Sequence, residues 1–250
     1  MTTLAARMLG AALLLQVTTA PDPRPLPNPG AFFDAVRANL AKSQDEQKRF
    51  SYKERRTSLD FNPFGRLGTG DTRVIGVTPI EGGAAIMRQL LERDGKPVVN
   101  AEPTRREVRP SARGNSVVED VASILDMAID RYDRLDGRDA VVVKFKPRRN
   151  ANPRTREGRL ARGFTGEIWI DERAKEVARV DATAVDDLSF GYGVLGRLNE
   201  GATVTVRREP IEENLWLPVS IRFNGEGRAL LFRKLTINFA LDWFDYRKVF

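Results

Sequence analysis

The sequence predicts an α+β domain that is mainly antiparallel β: one large, curved, one-sided sheet with about two amphipathic helices against its apolar face. Three observations predict it. Segments of alternating apolar and polar residues follow one another from Tyr52 onward, as in GEIWIDERAKEVARVDATA (Gly166–Ala184), which turns at Glu172–Lys175 and alternates again. Asp-Gly and Asn-Gly pairs, such as Asp94-Gly95, Asp136-Gly137 and Asn224-Gly225, punctuate them and favour hairpins over βαβ units. Only two stretches carry a helical period.

The elements follow in order. MTTLAARMLGAALLLQVTTA, residues 1–20, has a basic start at Arg7 and about ten mostly apolar residues from Met8 to Val17, too few to span a bilayer and suited to a secretory signal. Thr18 and Ala20 offer small residues before a cleavage point, but Pro21 would follow it, so cleavage elsewhere or retention as an anchor stays open. Residues 21–28, PDPRPLPN, read as an extended, solvated polyproline spacer, and the domain occupies residues 29–250. Asn28 caps a first helix that opens on Pro29, presents Phe32, Phe33, Val36 and Leu40 on one face, and frays into the charged run before Phe50.

Strands then run from Tyr52 to Val108, with turns in NPFGRLG and at Asp94-Gly95. SVVEDVASILDMA, residues 116–128, reads as the second helix. Ser116 and Glu119 form its capping box, and Val117, Val121, Ile124, Leu125 and Ala128 line one side. The remainder is strand: DAVVVKFKP, the hairpin quoted above, ATVTVRRE, LWLPVSIRF and KLTINFALDW. Two helices cover only part of so large an apolar face, so the rest must close on itself, pair with another chain or line a cavity.

The chain has 250 residues, 41% hydrophobic and 30% charged, with no Cys and no His. Thiolate nucleophiles, Ser–His pairs, His general bases and Cys/His zinc sites are therefore excluded, and no lipidated Cys or disulfide is available. The net charge is +7, and loss of residues 1–20 removes only Arg7 from the basic side. In an exported chain this points to anionic lipid or envelope polymer rather than nucleic acid.

Three motifs fail their chemistry. GYGVLG (Gly191–Gly196) spells the dinucleotide fingerprint but leads into another strand, so its glycines serve a tight connection. Asp130, Asp133, Asp136 and Asp139 miss calcium-loop spacing, since Tyr132 and Arg134 hold the positions where acids belong. Asp171-Glu172 and Asp186-Asp187 are sequence neighbours, and glycoside hydrolysis needs carboxyls facing across a substrate. The segment from Lys146 to Arg162 has seven basic residues against one acid, Glu157, and no aromatic residue. Arg148, Arg149, Arg154, Arg156, Arg159 and Arg162 are its candidates for an anion or lipid headgroup; a merely solvated loop is the plainer reading.

LPNPGAFFDAVRANL, FSYKERRT, RDGKPV, VVVKFKPR, GEIWIDERAKEVARVDA and GYGVLGRLNEGATV, in that order, resemble exported bacterial proteins of the outer-membrane lipoprotein-sorting group, across roughly residues 26–250. Resemblance to the LolA and LolB carriers implies a half-barrel of antiparallel strands around helices, with an apolar cavity that receives acyl chains. It implies a periplasmic, non-enzymatic, monomeric carrier without cofactor or metal. Its partner would be a lipid or acylated lipoprotein, to which the basic excess adds an anionic membrane surface as a candidate. No chemical residue set maps across one by one, and the absence of a lipidation site sets the chain apart from a LolB-like anchored receptor. Alternation makes Val143, Phe145, Ile168, Ile170, Val180, Val219, Ile221, Phe223, Ile237 and Phe239 the candidate cavity wall. The alternative is an envelope interaction or sensor module that uses the same fold to bind protein or anionic polymer.

Overall fold

Asn28 starts the first helix as its sequence dictates. Its side-chain oxygen accepts from the backbone N–H groups of Gly30 and Ala31, and Pro29 is the first helical residue of α1 (Pro29–Gln47). In the computed structural model, which describes residues 24–60, 71–108, 114–190, 196–229 and 233–250, this helix does not fray at its charged end. The buried Ser43 hydroxyl donates to Glu176 at 2.7 Å, and Asn39 donates to the carbonyls of Ala174 and Lys175 at 2.8 and 3.3 Å, so α1 is tied down to its last turns.

Alternation then produces strands β1 (Phe50–Asp60), β2 (Thr72–Ile80), β3 (Ala85–Arg93), β4 (Lys96–Pro97) and β5 (Thr104–Glu107). Helix α2 (Gly114–Ile124) separates them from β6 (Leu125–Leu135) and β7 (Arg138–Pro147), and α3 (Arg156–Ala161) precedes β8 (Phe164–Asp171). There follow β9 (Val177–Ala184), β10 (Leu188–Phe190), β11 (Gly196–Leu198), β12 (Thr203–Glu212), β13 (Leu215–Ala229) and β14 (Arg233–Lys248). All pairings are antiparallel, and the main path runs β4-β3-β2-β1-β14-β13-β12-β9-β8-β7-β6. First and last strands meet in the middle, while β4 and β6 stand at the two ends, so the sheet is an open, curved half-barrel.

Both long helices lie on one face of its β6–β9 end. Phe32 and Val36 of α1 bury against Val141, Val143 and Ile170, and Val121 and Ile124 of α2 bury with Leu125, Phe145 and Val180. Two bulges keep this face apolar. Asp130 is an extra residue in β6, which leaves Met127, Ile129 and Tyr132 all toward α1. Ala178 is the extra residue in β9, where Trp169 opposes Arg179 and Ile170 opposes Val177. A separate cluster of Phe50, Leu215 and Leu217, with Ile211 and Tyr246 against it, sits where β1, β13 and β14 meet.

The Asp-Gly turns form as expected, with Asp94 and Gly95 at φ 50 and 75°, and Asp136 and Gly137 at 51 and 81°. Three expectations need correction. The second helix stops at Ile124 instead of Ala128, because Leu125 onward pairs with β7. Asn224-Gly225 is not a turn: β13 runs straight through it, with Asn224 opposite Asn238 and Gly225 opposite Ile237. The end of the spacer is not free in solvent. Arg24 pairs with Glu172 at 3.1 Å and stacks 4.3 Å from the Tyr132 ring centre, and the Tyr132 hydroxyl donates to the Pro25 carbonyl. Residues 1–20, NPFGRLG and most of GYGVLG lie outside the described residues.

Candidate functional site

An apolar cavity of about 220 Å³ opens between α1, α2 and strands β6 to β9. Phe33, Val36 and Leu40 wall it from α1, Val118, Val121 and Ala122 from α2, and Val143, Ile168 and Ile170 from the sheet. Among the described residues Arg37 is the single charged one at its lining, and it is paired with Asp34 one helical turn earlier. Each strand contributes by period two and each helix by its 3–4 spacing, so the site is the meeting of two periodicities.

The ten candidate wall residues separate into groups. Val143, Ile168 and Ile170 line the cavity. Phe145 and Val180 fill the neighbouring cluster beneath α2, and Phe223 lies against the buried Ala184 and Ala202. Val219, Ile221 and Phe239 are half-buried on β13 and β14, and the side chain of Ile237 lies outside the described residues. The sheet is too wide for one wall: β13 stands three strands from β8, about 14 Å away at the usual spacing. A bulge also interrupts the alternation on β13. Arg207 opposes Ser220 and Arg208 opposes Pro218, so Val219 is the extra residue, and Leu215 and Leu217 pack with Phe50 instead. The strand-based reading missed the helical half of the lining, although the face of Phe33, Val36 and Leu40 is visible in the sequence. Met127 was hidden by the continuation of the helical period into β6.

The basic segment is built, not loose. Asp120 of α2 is 1% exposed and its carboxylate accepts from the backbone N–H of Arg154 at 3.0 Å, the N–H of Thr155 at 2.8 Å and the Thr155 hydroxyl at 2.6 Å. These bonds hold the carboxyl down at about 2, the hydroxyl contributing most. Thr155 in turn caps α3, its hydroxyl accepting from Gly158 N–H at 2.9 Å. Of the six candidate arginines, Arg148 pairs with Asp126 at 3.0 Å and Arg154 approaches Asp120 at 3.5 Å. Arg149, Arg159 and Arg162 are exposed and have no carboxylate partner among the described residues, and the side chain of Arg156 is not described.

The acidic motifs are dispersed among cations. Asp130 pairs with Lys144 and Arg131, Asp133 accepts from Trp169 Nε1 at 3.0 Å, Asp136 pairs with Arg207 and Asp139 faces Arg134. Asp171 caps the β8–β9 turn through the N–H groups of Arg173 and Ala174, while its neighbour Glu172 pairs with Arg24. Asp187 accepts from Glu200 N–H.

No protein-family model matches the chain, and no curated protein sequence does. Solved structures similar to it include a DUF1329 family protein from Desulfovibrio piger, at 14% identity and a TM-score of 0.38, covering 87% of this chain and 92% of that one. A putative outer membrane lipoprotein-sorting protein domain from Vibrio parahaemolyticus matches at 12% identity and a TM-score of 0.38, covering 86% and 91%. The MucA/MucB complex of Pseudomonas aeruginosa matches at 12% identity and a TM-score of 0.26, covering 86% and 99%.

Proposed function

We propose that this chain is an exported, periplasmic, non-enzymatic protein that holds an acyl chain of a lipid or lipoprotein in the cavity between its helices and sheet. One observation carries the reading: the cavity's described lining is apolar from all three sides, with Arg37 its one charged residue and already paired. An acyl segment placed there leaves water at about 0.8 kcal/mol per CH₂. The volume is below the roughly 300–1,000 Å³ of sites for drug-sized ligands, which suits a stretch of narrow chain rather than a bulky cofactor. In this reading residues 1–20 are the export signal, the folded domain begins near Pro29, and no metal or cofactor takes part.

The test is native mass spectrometry with organic extraction on protein recovered from the envelope of an exporting host. Wild type should carry acyl species, and Ala122→Phe, which fills the cavity from α2, should not. The reading fails if the filled variant, folded by circular dichroism, retains the same lipids. It also fails if wild type neither carries lipid nor takes up a fluorescent fatty acid.

A second reading, an envelope interaction module, draws on the half-buried Ile221 and Phe239, which are not among the described residues of the clusters beneath the two long helices. It expects Phe239→Asp to abolish capture of an envelope protein while leaving fatty-acid uptake intact.

A further inference from the structure

The cavity leaves the basic segment unexplained. A flexible loop could carry the same charge, yet this one is fastened by a buried carboxylate that spends its acceptors on it. Asp120 fixes Arg154 and Thr155, Thr155 caps α3, and Gly158 sits so close to Asp120 that a Cβ there would collide with the carboxylate. The product is a short rigid platform with cations outward. Arg159 and Arg162 are three residues apart and therefore neighbours on its surface. Arg149, in the turn after β7, is exposed as well, and none of the three has a carboxylate partner among the described residues. Leu160, the adjacent apolar residue, is exposed as well.

We propose that this α3 platform is a docking surface for an anionic phospholipid bilayer. Three observations favour a bilayer over other polyanions. The platform is a single six-residue helix with its flanks, too short to track a polymer, and it has no aromatic side chain on which bases could stack. Leu160 among the arginines matches an interface that is charged outside and apolar beneath. The platform also abuts α2, whose Val118, Val121 and Ala122 wall the cavity.

The start of the described chain lies away from this end. Arg24 is pinned to Glu172, just past the last residue of β8, whereas α3 precedes its first, and eight strand residues separate the two by about 25 Å. Arg24, the first described residue, therefore sits at the end opposite the platform. Docking needs no ligand in the cavity, so this inference stands apart from acyl-chain binding.

The test is co-sedimentation of the folded protein with vesicles of phosphatidylcholine, alone or mixed with phosphatidylglycerol, at low and at physiological salt. Each Lys or Arg near an anionic surface adds about fivefold in affinity. The variant Arg149→Gln/Arg159→Gln/Arg162→Gln should therefore bind mixed vesicles on the order of 100-fold more weakly, and salt should weaken wild type. A control that removes three exposed cations elsewhere, Arg93→Gln/Arg106→Gln/Arg173→Gln, should lose far less. Equal losses in both variants would reduce the effect to net charge and overturn the proposal. So would equal binding to pure phosphatidylcholine, or displacement from mixed vesicles by millimolar inorganic phosphate, which would mark a free-phosphate site.

Discussion

Asp120 and Thr155, on separate elements 35 residues apart in sequence, share one carboxylate oxygen twice, at 2.8 Å from the backbone N–H and 2.6 Å from the hydroxyl. One buried acid thus turns the most basic stretch of the chain into a fixed shape. The same helix presents Val121 and Ala122 to the cavity, so the two candidate surfaces are mechanically joined through α2.

This clamp has a pH signature. The Asp120 carboxyl is held at about 2 against an ordinary 3.8. A depressed folded value means that the contribution is present above about pH 4 and is lost as pH falls through about 2. Asp120→Asn should lower the urea midpoint at neutral pH, and the gap from wild type should shrink between about pH 4 and about pH 2. A gap independent of pH would show that the charge of Asp120 is not what holds the platform.

Much of the fold is legible because its causes are local. Alternation locates the strands, Asn28 and Pro29 mark the start of α1, and Asp94-Gly95 and Asp136-Gly137 turn where such pairs turn. What escapes the sequence is decided by distant partners. The helical spacing of Val121, Ile124, Leu125 and Ala128 continues past Ile124, and only the pairing with β7 overrides it. Asn224-Gly225 would turn in isolation, yet pairing with β14 on both sides of it keeps β13 extended. Asp120 has no periodic partner, since Arg154 and Thr155 reach it from another element. The position of the ten wall candidates is not legible in this way, because parity assigns a face, not a position across a wide sheet.

Gly166 tests how closely the central hairpin approaches. It lies opposite Ala182, and a Cβ there would fall onto the Asp181 carbonyl and 2.9 Å from Ala182 Cα, both rigid backbone. Gly166→Ala should force β8 and β9 apart, cost about 1–3 kcal/mol or more, and lower Tm by about 2–4 °C per kcal/mol. Gly137 differs, because nothing stands within 4 Å and only its φ of +81° constrains it. Asn, which tolerates that conformation, should cost little at Gly137. Thermal melts of the two variants would separate crowding from backbone conformation.

Two tyrosines should resist ionisation. The Tyr246 hydroxyl donates to the Pro218 carbonyl at 2.6 Å, and its ring lies 5.4 Å from that of Tyr52. Burial, the largest cause in each case, raises both above the ordinary 10.0, with Tyr52 adding to the rise at Tyr246 and Glu54 to that at Tyr52. Their contribution to stability is complete below about pH 10 and is lost as pH rises through the folded values. Ultraviolet titration should leave Tyr52 and Tyr246 un-ionised until the protein unfolds. Tyr246→Phe should cost about 1 kcal/mol and remove one of the late steps; an early transition for both would contradict the burial argument.

The attachment of α1 gives the sharpest link between stability and the cavity. Glu176, 2% exposed, accepts from Ser43 at 2.7 Å and from Arg208 Nη1 at 2.8 Å, and Arg208 Nη2 donates to the Trp216 carbonyl at 2.6 Å. Helix α1 is thereby bound through one carboxylate to β12 and β13. Ser43→Ala removes one hydrogen bond, about 1 kcal/mol. Glu176→Gln leaves Arg208 buried without a counter-charge, which should cost about 3–5 kcal/mol. Because Phe33, Val36 and Leu40 wall the cavity from this helix, Glu176→Gln should also speed amide exchange across α1 and weaken fatty-acid uptake. The double variant Glu176→Met/Arg208→Met, which buries no charge, should recover much of the stability. If it recovers stability and uptake together, packing alone holds the helix over the cavity. If it recovers stability only, the Ser43–Glu176 contact itself positions α1.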